Sequence, residues 1–247
     1  MKEPIISVRN LVSKYGEETI LEDISVDIFP QEITVILGGS GCGKTTLIKN
    51  ILKLCEPHSG SVKIFGKEVT NMDEAEFNRI LEKIGMVFQN GALLNSINIF
   101  ENISIPLEQH TDLPEELMGK IIRVKLNLVN LGKAEYLLPA ELSGGMKKRA
   151  ALARAIALDP VILICDEPSA GLDPLTSAAL DDLILKLKTL LKMTILIVSH
   201  ELASIHRIAD KIIFIDKRKV LFSGTLKEAK SSTVPELATF FRVGKFE

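Results

Sequence analysis

The chain has 247 residues, 46% apolar and 25% charged, which supplies the core of one large domain and excludes a disordered or low-complexity protein. A net charge of −2 argues against a general attraction to nucleic acid or to an anionic membrane surface. Cys42, Cys55 and Cys165 form neither an even set nor a metal-binding spacing, so free thiols in a reducing compartment are expected.

The opening residues, MKEPIISVRNLV, lack the long apolar segment of a secretory signal, and no run of about 18 apolar residues occurs, so no membrane span is expected. Runs rich in β-branched residues predict strands at 5–12, 24–29, 33–38, 61–66, 84–89, 161–166, 194–200, 211–216 and 219–224. Those at 33–38, 161–166 and 194–200 are almost wholly apolar up to a polar C-terminal edge, and a helical stretch follows each. That is the pattern of a parallel sheet covered on both faces, and it predicts an α/β fold. The earlier runs alternate more and are divided by turn signals, which predicts a small antiparallel β lobe beside the main sheet.

From about 97 to 157 no strand is predicted. Leu117, Ile121, Val124, Leu128 and Leu131 recur at steps of four and three, predicting an amphipathic helix with that stripe as its apolar face, in an inserted helical lobe. The expected organisation is one domain over 1–247: a core with its β lobe at 1–96 and 158–225, the helical lobe at 97–157, and one helix with a loosely specified tail at 226–247. Phe240 and Phe241 in that last stretch either pack on the helix beneath them or bridge two subunits.

The strongest chemical signal is GGSGCGKTT, between the predicted strand ITVIL and a helical run, in the pattern G-x-x-x-x-G-K-[ST]. Gly38, Gly39, Ser40, Gly41, Cys42, Gly43, Lys44, Thr45 and Thr46 form a loop whose backbone N–H groups wrap phosphates at a helix N-terminus. Lys44 is placed to neutralise β- and γ-phosphate charge, and the Thr45 hydroxyl to ligate Mg²⁺. Cys42 lies inside this loop, so alkylation of its thiol is expected to block nucleotide binding sterically, with Mg-ATP protecting it.

The apolar strand of VILICDEP delivers Asp166 and Glu167 to its C-terminal edge, where α/β sheets bind ligands. Asp166 is suited to hold Mg²⁺, and Glu167 to polarise an attacking water as general base. Gln89 ends another strand as a neutral polar group able to touch both metal and water. His200 ends TILIVSH, near a γ-phosphate provided that its strand neighbours the one before the phosphate loop. His58, His110 and His206 have no such setting.

LSGGMKKRA, residues 142–150, reads either as a loop between helices or as a helix N-terminus stripped of side chains for an anion. With the phosphate loop and the Asp–Glu strand end, it resembles the ATP-binding subunits of ABC transporters over almost the whole chain, with the motifs in that family's order. The resemblance implies that Tyr15 stacks on adenine, Gln89 is the Q-loop glutamine, Glu167 the catalytic glutamate and His200 the switch histidine. It implies a head-to-tail homodimer in which Ser143, Gly144 and Gly145 of one copy grip ATP held by the other, with Asp173 of SAGLD on the seam. ATP and Mg²⁺ are the implied cofactors.

Met146 stands where the commonest signature has Gln, but the grip needs the serine hydroxyl and glycine backbone, so activity is not in question. LSGGM, the stretches 87–107 and 137–160, and the closing FF with its glycine (240–244) are similar to the ATPases of Mla-type phospholipid transporters, Mkl-like relatives included. That resemblance implies lipid cargo, a membrane permease, a lipid-binding protein in the wider complex, and a place on the cytoplasmic face of the plasma (inner) membrane. Another solute, or a soluble ABC ATPase outside transport, is the alternative. Residues 92–107 carry a single charge, Glu101, and read either as a buried connection or as the groove where a permease helix docks. The basic runs Lys147–Lys148–Arg149 and 217–219 read as solvated faces, with no nucleic-acid partner.

Overall fold

In the computed structural model, which describes residues 2–243, strand β1 (Ile6–Tyr15) buries Ile6, Val8 and Leu11. Its alternation shifts by one residue at a bulge, marked by Asn10 at φ 47°. β1 pairs antiparallel with β2 (Glu18–Ile28) and β4 (Ser59–Ile64), and β5 (Lys67–Glu68) completes a sheet of order β2-β1-β4-β5. This is the expected antiparallel lobe, and it belongs to a unit made of Met1–Leu81 and Thr194–Glu247.

The same unit contains β3 (Ile33–Leu37), whose five residues are all buried, as a run apolar but for Thr34 requires. Burial of each large aliphatic side chain there contributes about 1.5–3 kcal/mol. β3 lies between the parallel strands β8 (Thr194–Val198) and β9 (Lys211–Asp216), and β10 (Lys219–Thr225) pairs antiparallel with β9. α1 (Lys44–Ile51) follows β3 and α7 (Leu202–Ile208) follows β8. α2 (Glu74–Leu81), not singled out from the sequence, starts where the Asp73 carboxylate accepts from the N–H groups of Ala75 (2.9 Å) and Glu76 (3.1 Å).

The C-terminal stretch forms two helices rather than the expected one, α8 (Leu226–Lys230) and α9 (Pro235–Val243). Thr225 and Glu228 make a reciprocal capping box at the start of α8, and Pro235 opens α9, where a missing N–H costs nothing. The Phe241 ring lies 5.5 Å from His206 of α7, and Phe240 lies 6.3 Å from Phe214 of β9. Both rings therefore pack on their own chain. Of the expected tail, residues 244–247 lie outside the described residues.

The second unit, Glu82–Met193, holds the parallel pair β6 (Ile84–Val87) and β7 (Ile162–Asp166), with Val87 opposite Cys165. Around them are α3 (Ile99–His110), α4 (Glu115–Leu128), α5 (Gly144–Ala155) and α6 (Pro174–Leu191). α5 comes close to β6 because Gly85 lacks a side chain: a Cβ there would sit 2.3 Å from the Ala155 carbonyl oxygen.

α4 is amphipathic, but its buried face is not the expected stripe. Leu117 is 43% and Val124 56% exposed, while Gly119, Ile122, Lys125 and Leu126 are buried. Lys125 explains the difference. Its ammonium ion-pairs with Asp159, so its aliphatic stem occupies the core face and breaks the apolar pattern that would have marked it. Leu131, just beyond the helix, is buried as expected. Among the described residues no helix is long and apolar enough to cross a membrane.

Candidate functional site

In the first unit, the chain leaves β3 at Gly38, whose φ is +155° and whose Cβ would lie 2.1 Å from the Ile215 carbonyl oxygen. Only glycine fits so close to β9. The loop ends at Gly43, which caps α1 without a side chain, so the first N–H groups of the helix face an anion unobstructed by a cap. Lys44 Nζ donates to the carbonyls of Gly38 (2.9 Å) and Gly39 (2.8 Å), folding the ammonium back over the loop. Thr45 is exposed, while Thr46 is buried and its carbonyl accepts from the Asn50 amide at 2.8 Å. Burial is the main reason the Cys42 thiol is pushed above its ordinary pKa, with Lys44 pulling it the other way.

β8 runs beside β3 in parallel, with Ile36 opposite Val198. His200 lies exposed just past β8, the strand that neighbours the one before the phosphate loop. Tyr15 ends β1 with its ring 52% exposed.

In the second unit, β7 ends at the buried Asp166, and Glu167 follows with φ +50°, a left-handed backbone. Gln89 lies exposed beyond β6, so Gln89 and Glu167 leave neighbouring parallel strands at one edge. Lys148 joins them: its ammonium donates to the carbonyl of Gln89 and, at 3.4 Å, to that of Glu167. This corrects the reading of Lys147–Lys148–Arg149 as a solvated run. Lys147 is exposed, but Lys148 is 9% exposed on the α5 face that buries Ala151 and Leu152, and burial lowers its pKa. Cys165, on β7, is pushed to about 12 by burial.

Ser143 caps α5, its hydroxyl accepting from the Met146 N–H at 3.3 Å. Gly144 is exposed, whereas Gly145 is buried against Thr176 of α6. Asp173 caps α6 by accepting from the N–H groups of Leu175 and Thr176, each at 3.0 Å, and from the Thr176 hydroxyl at 2.5 Å. Those hydrogen bonds, led by the Thr176 hydroxyl, hold its pKa below the usual carboxylate value.

The apolar stretch 92–107 divides in two. Ile99, Ile103 and Leu107 form the buried face of α3, so that half is core and not groove. The turn before α3 is pinned: the Asn102 side chain accepts from the Leu94 N–H (2.8 Å) and donates to the Leu94 carbonyl (3.0 Å). The Arg154 guanidinium donates to the carbonyls of Ala92 (2.7 Å) and Gly91 (2.9 Å). Phe88 and Leu94 remain exposed. Lys148, Arg154 and Asn102 were not read from the sequence as site residues. The available signal was four cations beside the alanines of α5, a helix too rich in buried small residues to be solvated all round.

Residues 21–170 match the family described as ABC transporter. The chain is 38% identical over 242 residues to the intermembrane phospholipid transport system ATP-binding protein MlaF of Haemophilus influenzae, covering 98% of this chain and 92% of that one. It is 37% identical over 235 residues to the probable ribonucleotide transport ATP-binding protein mkl of Mycobacterium leprae, covering 95% of this chain and 68% of that one. Its fold is similar to the dimeric structure of a post-hydrolysis state of the ATP-binding cassette MJ0796 bound to ADP and Pi. There the TM-score is 0.82 at 29% identity, over 90% of this chain and 98% of that one. A phosphate loop, an Asp–Glu strand end and a serine–glycine helix start, in the family's order across the matched length, make this chain a member of the ABC transporter family, an ATP-binding and ATP-hydrolysing subunit.

Proposed function

We propose that this chain powers phospholipid transport, working as a head-to-tail homodimer on a membrane permease at the cytoplasmic face of the membrane, with a lipid-binding protein in the wider complex. The observation that carries the cargo is the 38% identity to MlaF across nearly the full length of both chains. Ribonucleotide cargo is the second reading, supported by the name of the mkl relative.

Within this reading Tyr15 stacks on adenine, the loop from Gly38 to Thr46 binds the phosphates, and Lys44 exchanges the carbonyls of its own loop for phosphate oxygens. Glu167 accepts a proton from the attacking water, and His200 and Gln89 orient the γ-phosphate and that water. Thr45, Gln89 and Asp166 offer hydroxyl, amide and carboxylate oxygens, the hard donors that Mg²⁺ takes along with water and substrate phosphates. When bound, the ion neutralises phosphate charge. The dimer has support in Leu175, 84% exposed beside the Asp173 cap and the signature helix, an apolar side chain that a second copy would cover. A permease has support in Phe88 and Leu94, held outward on the pinned turn.

The test is to purify the tagged chain with its permease from native membranes, rebuild the complex in vesicles, and follow labelled phospholipid and labelled ribonucleotide. ATP-dependent movement of phospholipid alone is expected. Movement of the ribonucleotide alone would overturn the cargo and leave the ATPase standing.

A further inference from the structure

Lys148 lies in the second turn of α5, and a buried cation needs partners. Its hydrogen-bond acceptors include two backbone carbonyls, those of Gln89 and Glu167, each just past the end of one of two adjacent parallel strands, and the Glu167 charge also acts on it. Glu167 has the greater need. A φ of +50° in a residue with a side chain is a backbone conformation that its surroundings must hold in place. The same helix extends the attachment. Arg154 takes the carbonyls of Gly91 and Ala92, and a Cβ on Gly91 would stand 3.3 Å from the Ala151 Cβ, so the segment after Gln89 lies flat on α5.

We propose that Lys148 is a positioning residue for hydrolysis: its ammonium ties Gln89 and Glu167 to the helix that starts at Ser143, so that a displacement of the signature moves both groups together. This rests on the reading of Gln89 and Glu167 as the hydrolytic residues. An ammonium has three donors and no acceptor, so it serves two carbonyls at once. A thioether or alkyl chain of similar length fills the space and holds neither.

The experiment compares Lys148→Met, Lys148→Arg and Glu167→Gln in the full-length chain, measuring kcat and KM for ATP together with Tm. In Lys148→Met, kcat falls about tenfold to a hundredfold while KM stays within about twofold, because the charged hydrogen bonds lost serve the hydrolytic residues and not the binding of ATP. Lys148→Arg, which keeps the charge and the donors, recovers most of that loss. An unchanged kcat in Lys148→Met overturns the proposal, as do equal losses in the Met and Arg variants that follow a fall in Tm, since packing alone would then explain them. If the Met variant does not fold, Lys148→Leu, which also lacks a donor, is read by the same split between kcat and KM. A Glu167→Gln chain that turns over normally overturns the reading of Glu167. A dead Glu167→Gln beside a fully active Lys148→Met overturns the positioning role alone.

Discussion

A Cβ placed on Gly145 would lie 2.5 Å from Thr176 Cγ2, so the second glycine of the signature is required by the packing of α5 against α6. Gly144 is different: its Cβ would meet only Leu172 Cδ2, at an ordinary 3.5 Å. Gly145→Ala is expected to lose about 1–3 kcal/mol of stability through overpacking. Gly144→Ala should keep wild-type stability and, on the proposed reading, lose turnover, because the added methyl would crowd the phosphate that the Gly144 N–H is proposed to face on the second copy. Urea denaturation beside an ATPase assay separates the two.

Asp173 caps α6 through three hydrogen bonds, and its pKa is lowered in the folded chain. A lowered carboxylate contributes stability above its unfolded pKa and loses it as pH falls through the folded value. Asp173→Ala should therefore lower the urea midpoint at pH 7 with an unchanged m-value, and the gap to wild type should close toward strongly acidic pH. Asp173→Asn, which still caps, should lose less. A gap that stays constant with pH would contradict the cap.

Lys44→Met should weaken ATP binding by about tenfold to a hundredfold, the loss of a charge-assisted phosphate contact. Lys44→Arg is not expected to rescue it, since a planar guanidinium does not replace a compact ammonium within a tight loop. Titration calorimetry with a slowly hydrolysed ATP analogue reads both.

In a Cys55→Ser background, Cys42 is the thiol left to react, because Cys165 is buried with its pKa pushed to about 12. The Cys42 pKa is raised, so at any given pH less thiolate is present than in a free cysteine. Labelling by iodoacetamide should be slow at pH 7 and still climbing past pH about 8.5, the ordinary thiol value. Saturating Mg-ATP should slow it. A rate indifferent to ATP would remove Cys42 from the phosphate loop.

Much of this was legible because the chemistry is local. The loop from Gly38 to Thr46 announces itself through glycines whose positions the backbone dictates, and β3, β7 and β8 through apolar runs that tolerate no other placement. The face of α4 was not legible. Lys125 sits on its buried side and reaches an ion pair with Asp159, thirty-four residues on, while Leu117 and Val124 on the exposed side look like core. Lys148 was misread for the same reason: a basic triplet carries no mark of which member turns inward, and its acceptors are backbone carbonyls, which sequence does not distinguish. The break between α8 and α9 is marked in the sequence by Pro235, which opens α9.

The central claim is that Glu167 activates water at an ATP shared by two copies of the chain. Its most direct test is to mix Glu167→Gln with Mg-ATP and measure both product formation and molecular mass by light scattering after gel filtration. The account predicts bound ATP, turnover reduced at least about a hundredfold, and a shift from monomer to dimer that Ser143→Ala weakens. Hydrolysis at the wild-type rate, or tight ATP binding with the mass of a monomer, would contradict it.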